Sequence, residues 1–181
     1  MIDVEIEDEA WTAALPDAEA LAVAAAAAAL AAPNAPAGGG APSAQILHRE
    51  AGEVDRAQRE TEGAFGLVVL LTDDETVRDL NARFRSKDKP TNVLSFPAAE
   101  NPEGHLGDIA LAYGVCVREA AEQGKLLAHH LQHLVAHGVL HLLGYDHMSD
   151  DEAEAMEGLE RVVLAGLGAP DPYQAGGRDH D

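Results

Sequence analysis

Residues 137 to 147 read His137-Gly-Val-Leu-His141-Leu-Leu-Gly144-Tyr-Asp-His147, and the reading of this stretch decides both fold and chemistry. On a helix, positions four apart share one face, so His137 and His141 stand side by side, close enough to share an ion. The helix is expected to run from Leu126 to Leu143 and to stop at Gly144, because a residue without a Cβ turns left-handed at low cost. The chain then doubles back, and His147 closes a triangle. Three neutral imidazoles leave a tetrahedral Zn²⁺ with one open position, the arrangement of a catalytic site rather than a closed structural one. The competing reading is a polar helix face, since His129, His130 and His133 lie on the same helix. The glycine turn followed by a third histidine favours the metal. His133, a full turn further away, is read as supporting the ligands or facing a substrate.

Outward from this helix, the chain divides into short elements. Met1-Ile-Asp-Val-Glu-Ile-Glu-Asp alternates with period two, as a half-buried strand does. The alanine run 20–32 reads as a surface helix capped by Asp17, with a narrow apolar face of Leu21, Val23 and Leu30. Residues 33 to 43 are a Pro/Gly breaker cluster, flexible by composition. Phe65 to Leu71 is a continuous apolar run, the mark of a strand buried on both faces. Thr72-Asp-Asp-Glu caps a helix to about Phe84, with Val77, Leu80 and Phe84 on one face. Val93-Leu-Ser-Phe and Leu106-Gly-Asp-Ile-Ala-Leu-Ala-Tyr are strands, followed by a helix from about Val115 to Gln123. A last helix starts at Ser149-Asp-Asp-Glu and continues to about Leu167. After Gly168 the chain is rich in Pro, Gly and Asp and is expected to be a disordered tail. This is an α+β pattern, a small mixed sheet packed with helices.

The spacing H-x-x-x-H-x-x-G-x-x-H is the one metzincin proteases use. Those enzymes place a glutamate general base after the first histidine; here Gly138 stands there. Losing such a base removes about 10²–10⁴-fold of catalysis, which argues against a peptidase.

Charge adds a second signal. Twelve basic residues face 32 acidic ones, for a net charge of -20, so the chain repels phosphates on average. Yet Arg78, Arg83, Arg85, Lys87 and Lys89 fall within twelve positions. Arg85 is the best candidate to grip a phosphate with a planar, bidentate fork, and Lys87 and Lys89 would hold neighbouring phosphates. Asp146 and Asp108 are candidates to orient a metal-bound histidine. Cys116, the sole cysteine, makes no intrachain disulfide and is assigned, with Ser95 and Thr91, to structure.

The histidine stretch, together with Arg85-Ser-Lys-Asp-Lys-Pro-Thr-Asn-Val-Leu-Ser-Phe-Pro and Leu106-Gly-Asp-Ile, resembles the YbeY family of bacterial endoribonucleases. The resemblance runs from about Phe65 to Leu167. It implies a zincin-like α+β fold over residues 1–168 and one Zn²⁺ per chain on His137, His141 and His147; the alanine-rich first helix and an insertion at about 33–63 depart from the family's compact pattern. Arg85 matches the arginine the family uses at its active site, so the catalytic candidates are Arg85 and His137. The resemblance further implies cytoplasmic location and single-strand-specific cleavage that matures ribosomal RNA and serves ribosome quality control. Its partners would be ribosomal RNA and ribosomal particles, with ribosomal or GTPase proteins as candidate protein partners and no membrane. Two rivals stand beside this reading: a metallopeptidase, which has no need of Arg85 and its lysines, and a non-enzymatic assembly factor, which has no need of an open zinc position.

Overall fold

The computed structural model describes residues 2–32, 66–98, 104–145 and 149–173. The insertion at 33–63, with its breaker cluster, lies wholly outside the described residues. Among them, four strands form one sheet in the order β1-β2-β4-β3. Strand β1 (Ile2–Ile6) pairs in parallel with β2 (Gly66–Thr72), and β2 pairs in parallel with β4 (His105–Ala112). The edge strand β3 (Val93–Pro97) runs antiparallel to β4. The sheet is therefore mixed, as expected.

Its two faces are unequal. Leu67, Val69 and Leu71 of β2, with Ile109 and Leu111 of β4, are fully buried under the larger helical layer. The other face carries Leu70, Leu94, Ala110 and Ala112 against Val77 and Leu80, which lie on helix α3 (Asp74–Arg85). The continuous apolar run at 66–71 is thus covered on both sides. At the start of β4, the register slips between Gly66 and Leu67 so that Leu106 bulges out. Gly107 follows with φ +150°, and a Cβ there would lie 2.3 Å from the Phe96 carbonyl oxygen. Only glycine fits, which accounts for Leu106-Gly-Asp-Ile.

Helix α2 (Ala18–Ala31) corrects one expectation. Its buried face is Ala18, Ala22, Ala25, Ala26 and Ala29, while Leu21, Val23 and Leu30 are only half-buried. It packs on the histidine helix α5 (Leu127–Leu142) rather than lying at the surface. Side chains that stop at Cβ let two helices approach closely, so alanines occupy the seam. The expected Asp17 cap is not made. The short helix α1 (Ala10–Ala14) sets Trp11 into the core, where its indole N–H donates to the Thr72 carbonyl at 3.0 Å. Thr72 thus ends β2, and the cap of α3 is Asp73, which accepts from the Thr76 N–H at 2.8 Å. Phe84 does not join the core: it is 66% exposed and meets Phe96 edge-on, at 5.4 Å.

Helix α4 (Tyr113–Glu122) begins two residues before the expected start. Helix α6 (Asp150–Gly166) begins as read, with the Ser149 hydroxyl accepting from Glu152 N–H at 3.2 Å. The tail expectation fails for residues 169 to 173, where Ala169 and Pro172 are buried against the body; residues 174–181 lie outside the described residues. No helix among the described residues is long and apolar enough to cross a membrane.

Candidate metal centre

The histidine helix is seated by a close approach. A Cβ at Gly138 would lie 3.0 Å from Ile109 Cγ2 and 3.2 Å from Ser95 Oγ, so α5 rests directly on β3 and β4. The position that carries the general base in metzincins is here filled by the sheet. Overpacking of this kind typically costs about 1–3 kcal/mol. Gly138→Glu is therefore expected to lower unfolding stability by at least that amount in a urea titration, without creating peptidase activity.

Helix α5 ends as the sequence predicts. Gly144 takes φ +102°, its N–H donates to the His141 carbonyl at 2.9 Å, and the Tyr145 N–H donates to the Leu140 carbonyl at 3.0 Å. This pair of bonds is the Schellman motif. It has a chemical consequence, because it places the Tyr145 carbonyl where His141 Nδ1 donates to it at 2.9 Å. One turn back, His137 Nδ1 donates to the Glu160 carboxylate. Both acceptors are oxygens without a proton to give, so each imidazole carries its hydrogen on Nδ1 and presents the lone pair of Nε2. The two Nε2 atoms face each other at 3.0 Å. Neutral rings protonated at Nδ1 can both turn Nε2 to one shared cation. Two ligands of a tetrahedral Zn²⁺ with bonds of 2.0–2.1 Å stand about 3.3 Å apart, close to what is seen. The residues present fit the ion.

Glu160 is not among the candidates that the motif spacing offers. It is fully buried on α6 and accepts from three donors: His137 Nδ1, His133 Nε2 at 3.2 Å, and the Tyr173 hydroxyl. Burial pushes its carboxyl pKa up, but the hydrogen bonds from His133 and His137 outweigh burial and hold it well below the usual carboxylate range. It is thus the carboxylate that orients His137, one of the expected ligands, the part considered for Asp146 and Asp108. The sequence carried a signal for it, since Glu160 shares the buried phase of α6 with Met156, Val163 and Leu164. A carboxylate on a core-facing stripe requires partners.

The other candidates fall as follows. His147 and Asp146 lie outside the described residues. Among the described residues no three His, Cys, Asp or Glu side chains gather to hold an ion, so the structure brings together two of the three expected ligands. Asp108 is exposed on β4 and pairs with His105 at 3.0 Å. His133 bonds Glu160, the carboxylate that also bonds His137. His130, buried, bonds Glu119 at 3.0 Å. Arg85 belongs to the last turn of α3, not to the following loop. Its guanidinium donates to the Ser95 carbonyl at 2.8 Å, and the Ser95 hydroxyl donates to the Gly138 carbonyl at 3.4 Å. Two hydrogen bonds thus link the arginine to the backbone between His137 and His141. Lys87 and Lys89 are exposed beside it, whereas Arg78 is paired with Asp88 and Arg83 with Asp79. Cys116 is buried, and burial raises its thiol pKa far above neutrality, so it stays a neutral packing group.

The family model described as Endoribonuclease YbeY matches residues 43–168. The chain belongs to the YbeY family. Relatives named Endoribonuclease YbeY bear this out. One from Rhodopseudomonas palustris (strain ATCC BAA-98 / CGA009) is 54% identical over 136 residues, covering 72% of this chain and 71% of its own. One from Azorhizobium caulinodans is 50% identical over 176 residues, covering 95% of each. The second YbeY relative therefore aligns across nearly the whole chain. The solution structure of TM1509 from Thermotoga maritima is similar over 75% of this chain and 96% of its own, at 25% identity and a TM-score of 0.43.

Proposed function

We propose that this YbeY-family chain is a zinc-dependent, single-strand-specific endoribonuclease of the cytoplasm that matures ribosomal RNA and serves ribosome biogenesis and quality control. One Zn²⁺ per chain would be held by His137, His141 and His147 in a zincin-like domain spanning residues 1–168. Ribosomal RNA and ribosomal particles would be its partners, with ribosomal or GTPase proteins as candidate protein contacts. The observation that carries the metal is the approach of two Nε2 atoms to 3.0 Å, each ring fixed from its Nδ1 side. When bound, the ion supplies Lewis-acid stabilisation of a phosphate oxygen and lowers the pKa of water towards neutrality.

The chain's own residues do the rest. Glu160 holds the tautomer and orientation of His137, and the Schellman turn does the same for His141. Arg85, exposed yet anchored to Ser95, offers its remaining N–H groups to a phosphate beside the histidine pair. Lys87 and Lys89 extend the positive track along the backbone of a single strand. The peptidase reading loses its base to the packing at Gly138.

The test is to incubate metal-loaded protein with single-stranded and base-paired ribosomal RNA fragments and map the cut ends. Cuts are expected in the single-stranded fragments and absent from the duplexes. Equal cutting of both, or none in either, contradicts the reading.

A further inference from the structure

The chain leaves α6 through a second glycine turn. Gly168 takes φ +78°, its N–H bonds the Ala165 carbonyl at 3.1 Å, and the Ala169 N–H bonds the Leu164 carbonyl at 2.8 Å. The five residues that follow fold back along α6. Lys125 Nζ donates to the Pro172 carbonyl at 3.1 Å, and Asp171 accepts from the Tyr173 N–H at 2.8 Å. Arg161 reaches Asp171 at 3.3 Å and sits 5.2 Å over the Tyr173 ring. This strap delivers the Tyr173 hydroxyl to Glu160 Oε2, the oxygen that also accepts from His133, while Oε1 accepts from His137. The Tyr173 ring stands edge-on to His133 at 5.5 Å.

We propose that Tyr173 is a positioning residue for the metal centre, its hydroxyl fixing the Glu160 carboxylate that orients His137. The inference rests on the reading of His137 and His141 as metal ligands. Water cannot solvate a carboxylate that is fully buried, so every lone pair without a donor is costly. Donors at both oxygens also stop the carboxylate turning about its terminal bond, and His137 then meets Oε1 in one place. Partners of this kind behind a metal-bound histidine set ligand orientation and metal affinity. The strap is thereby part of the centre and not a loose end.

A merely structural strap predicts a different result from a positioning one. Tyr173→Phe keeps the ring against His133 and under Arg161 and removes only the hydroxyl. In the full chain, zinc affinity is measured by competition with a chromophoric chelator, and the site is also read by Co²⁺ absorption. Glu160→Gln is expected to weaken zinc binding by about 10–100-fold, and Tyr173→Phe by about 10-fold. Both should shift the Co²⁺ spectrum, which a merely structural strap would not move; the melting temperature of the metal-free Tyr173→Phe protein should fall by a few degrees, because a buried carboxylate loses one donor. Wild-type affinity and spectrum in Tyr173→Phe overturn this inference alone. Tighter binding overturns it too, since the hydroxyl would then act by drawing charge from the carboxylate. A wild type that binds no zinc overturns the metal reading and this inference together.

Discussion

Arg85→Ala is expected to leave folding and zinc content intact and to lower single-turnover RNA cleavage by about 10²–10³-fold, the usual cost of one preorganised charge donor. Preorganisation is the reason for so large an effect. One arm of the guanidinium is held by the Ser95 carbonyl, and Ser95 is held to the Gly138 carbonyl of the histidine helix, so the remaining N–H groups start in place. No helix rearrangement should follow, because the side chain is exposed and contributes nothing to the core. Arg85→Lys should rescue only in part: an ammonium either bonds Ser95 or meets the phosphate, and it lacks the planar fork. Lys87→Ala and Lys89→Ala, by contrast, should weaken RNA binding modestly and flatten its salt dependence. Saturating protein removes binding differences from the comparison. Cleavage by Arg85→Ala at the wild-type rate would reduce Arg85 to a binding residue.

His141→Ala is expected to lose zinc and, with it, nearly all cleavage. The loss of an outer hydrogen-bond partner already costs about 10–100-fold in metal affinity, and the loss of a ligand should cost more. The substitution is otherwise mild. His141 is half-exposed at the end of α5, and the Schellman bonds that close the helix run between backbone groups, so they survive the truncation. Elemental analysis after gel filtration reads the outcome. Full zinc occupancy in His141→Ala would remove His141 from the centre.

Much of this was legible in the sequence, and the exceptions have physical causes. The alternation of β1, the buried run of β2 and the glycine stop of α5 are local patterns set by backbone periodicity and by the absence of a Cβ. The seam of α2 was not legible, because alanines become a core face only when another helix comes close, and hydrophobicity reading weights Leu21, Val23 and Leu30 instead. The spacing puts Phe84 on the face of Val77 and Leu80, but it sits in the last turn of α3 beside the edge strand β3, where it meets Phe96 edge-on and stays exposed. Glu160 stands 23 residues from His137, and only the packing of α6 on α5 joins them. Tyr173 falls in a segment whose Pro and Gly content reads as disorder, and its place comes from partners distant in sequence: Glu160, Lys125 and Arg161.

The most direct test of a metal-dependent nuclease centred on α5 is single-turnover cleavage of one single-stranded ribosomal RNA fragment by native, metal-stripped and zinc-reloaded protein. Stripping should abolish cleavage, and one equivalent of Zn²⁺ per chain should restore it. Cleavage by the stripped protein at the native rate would contradict the assignment of His137 and His141 as ligands of a catalytic ion.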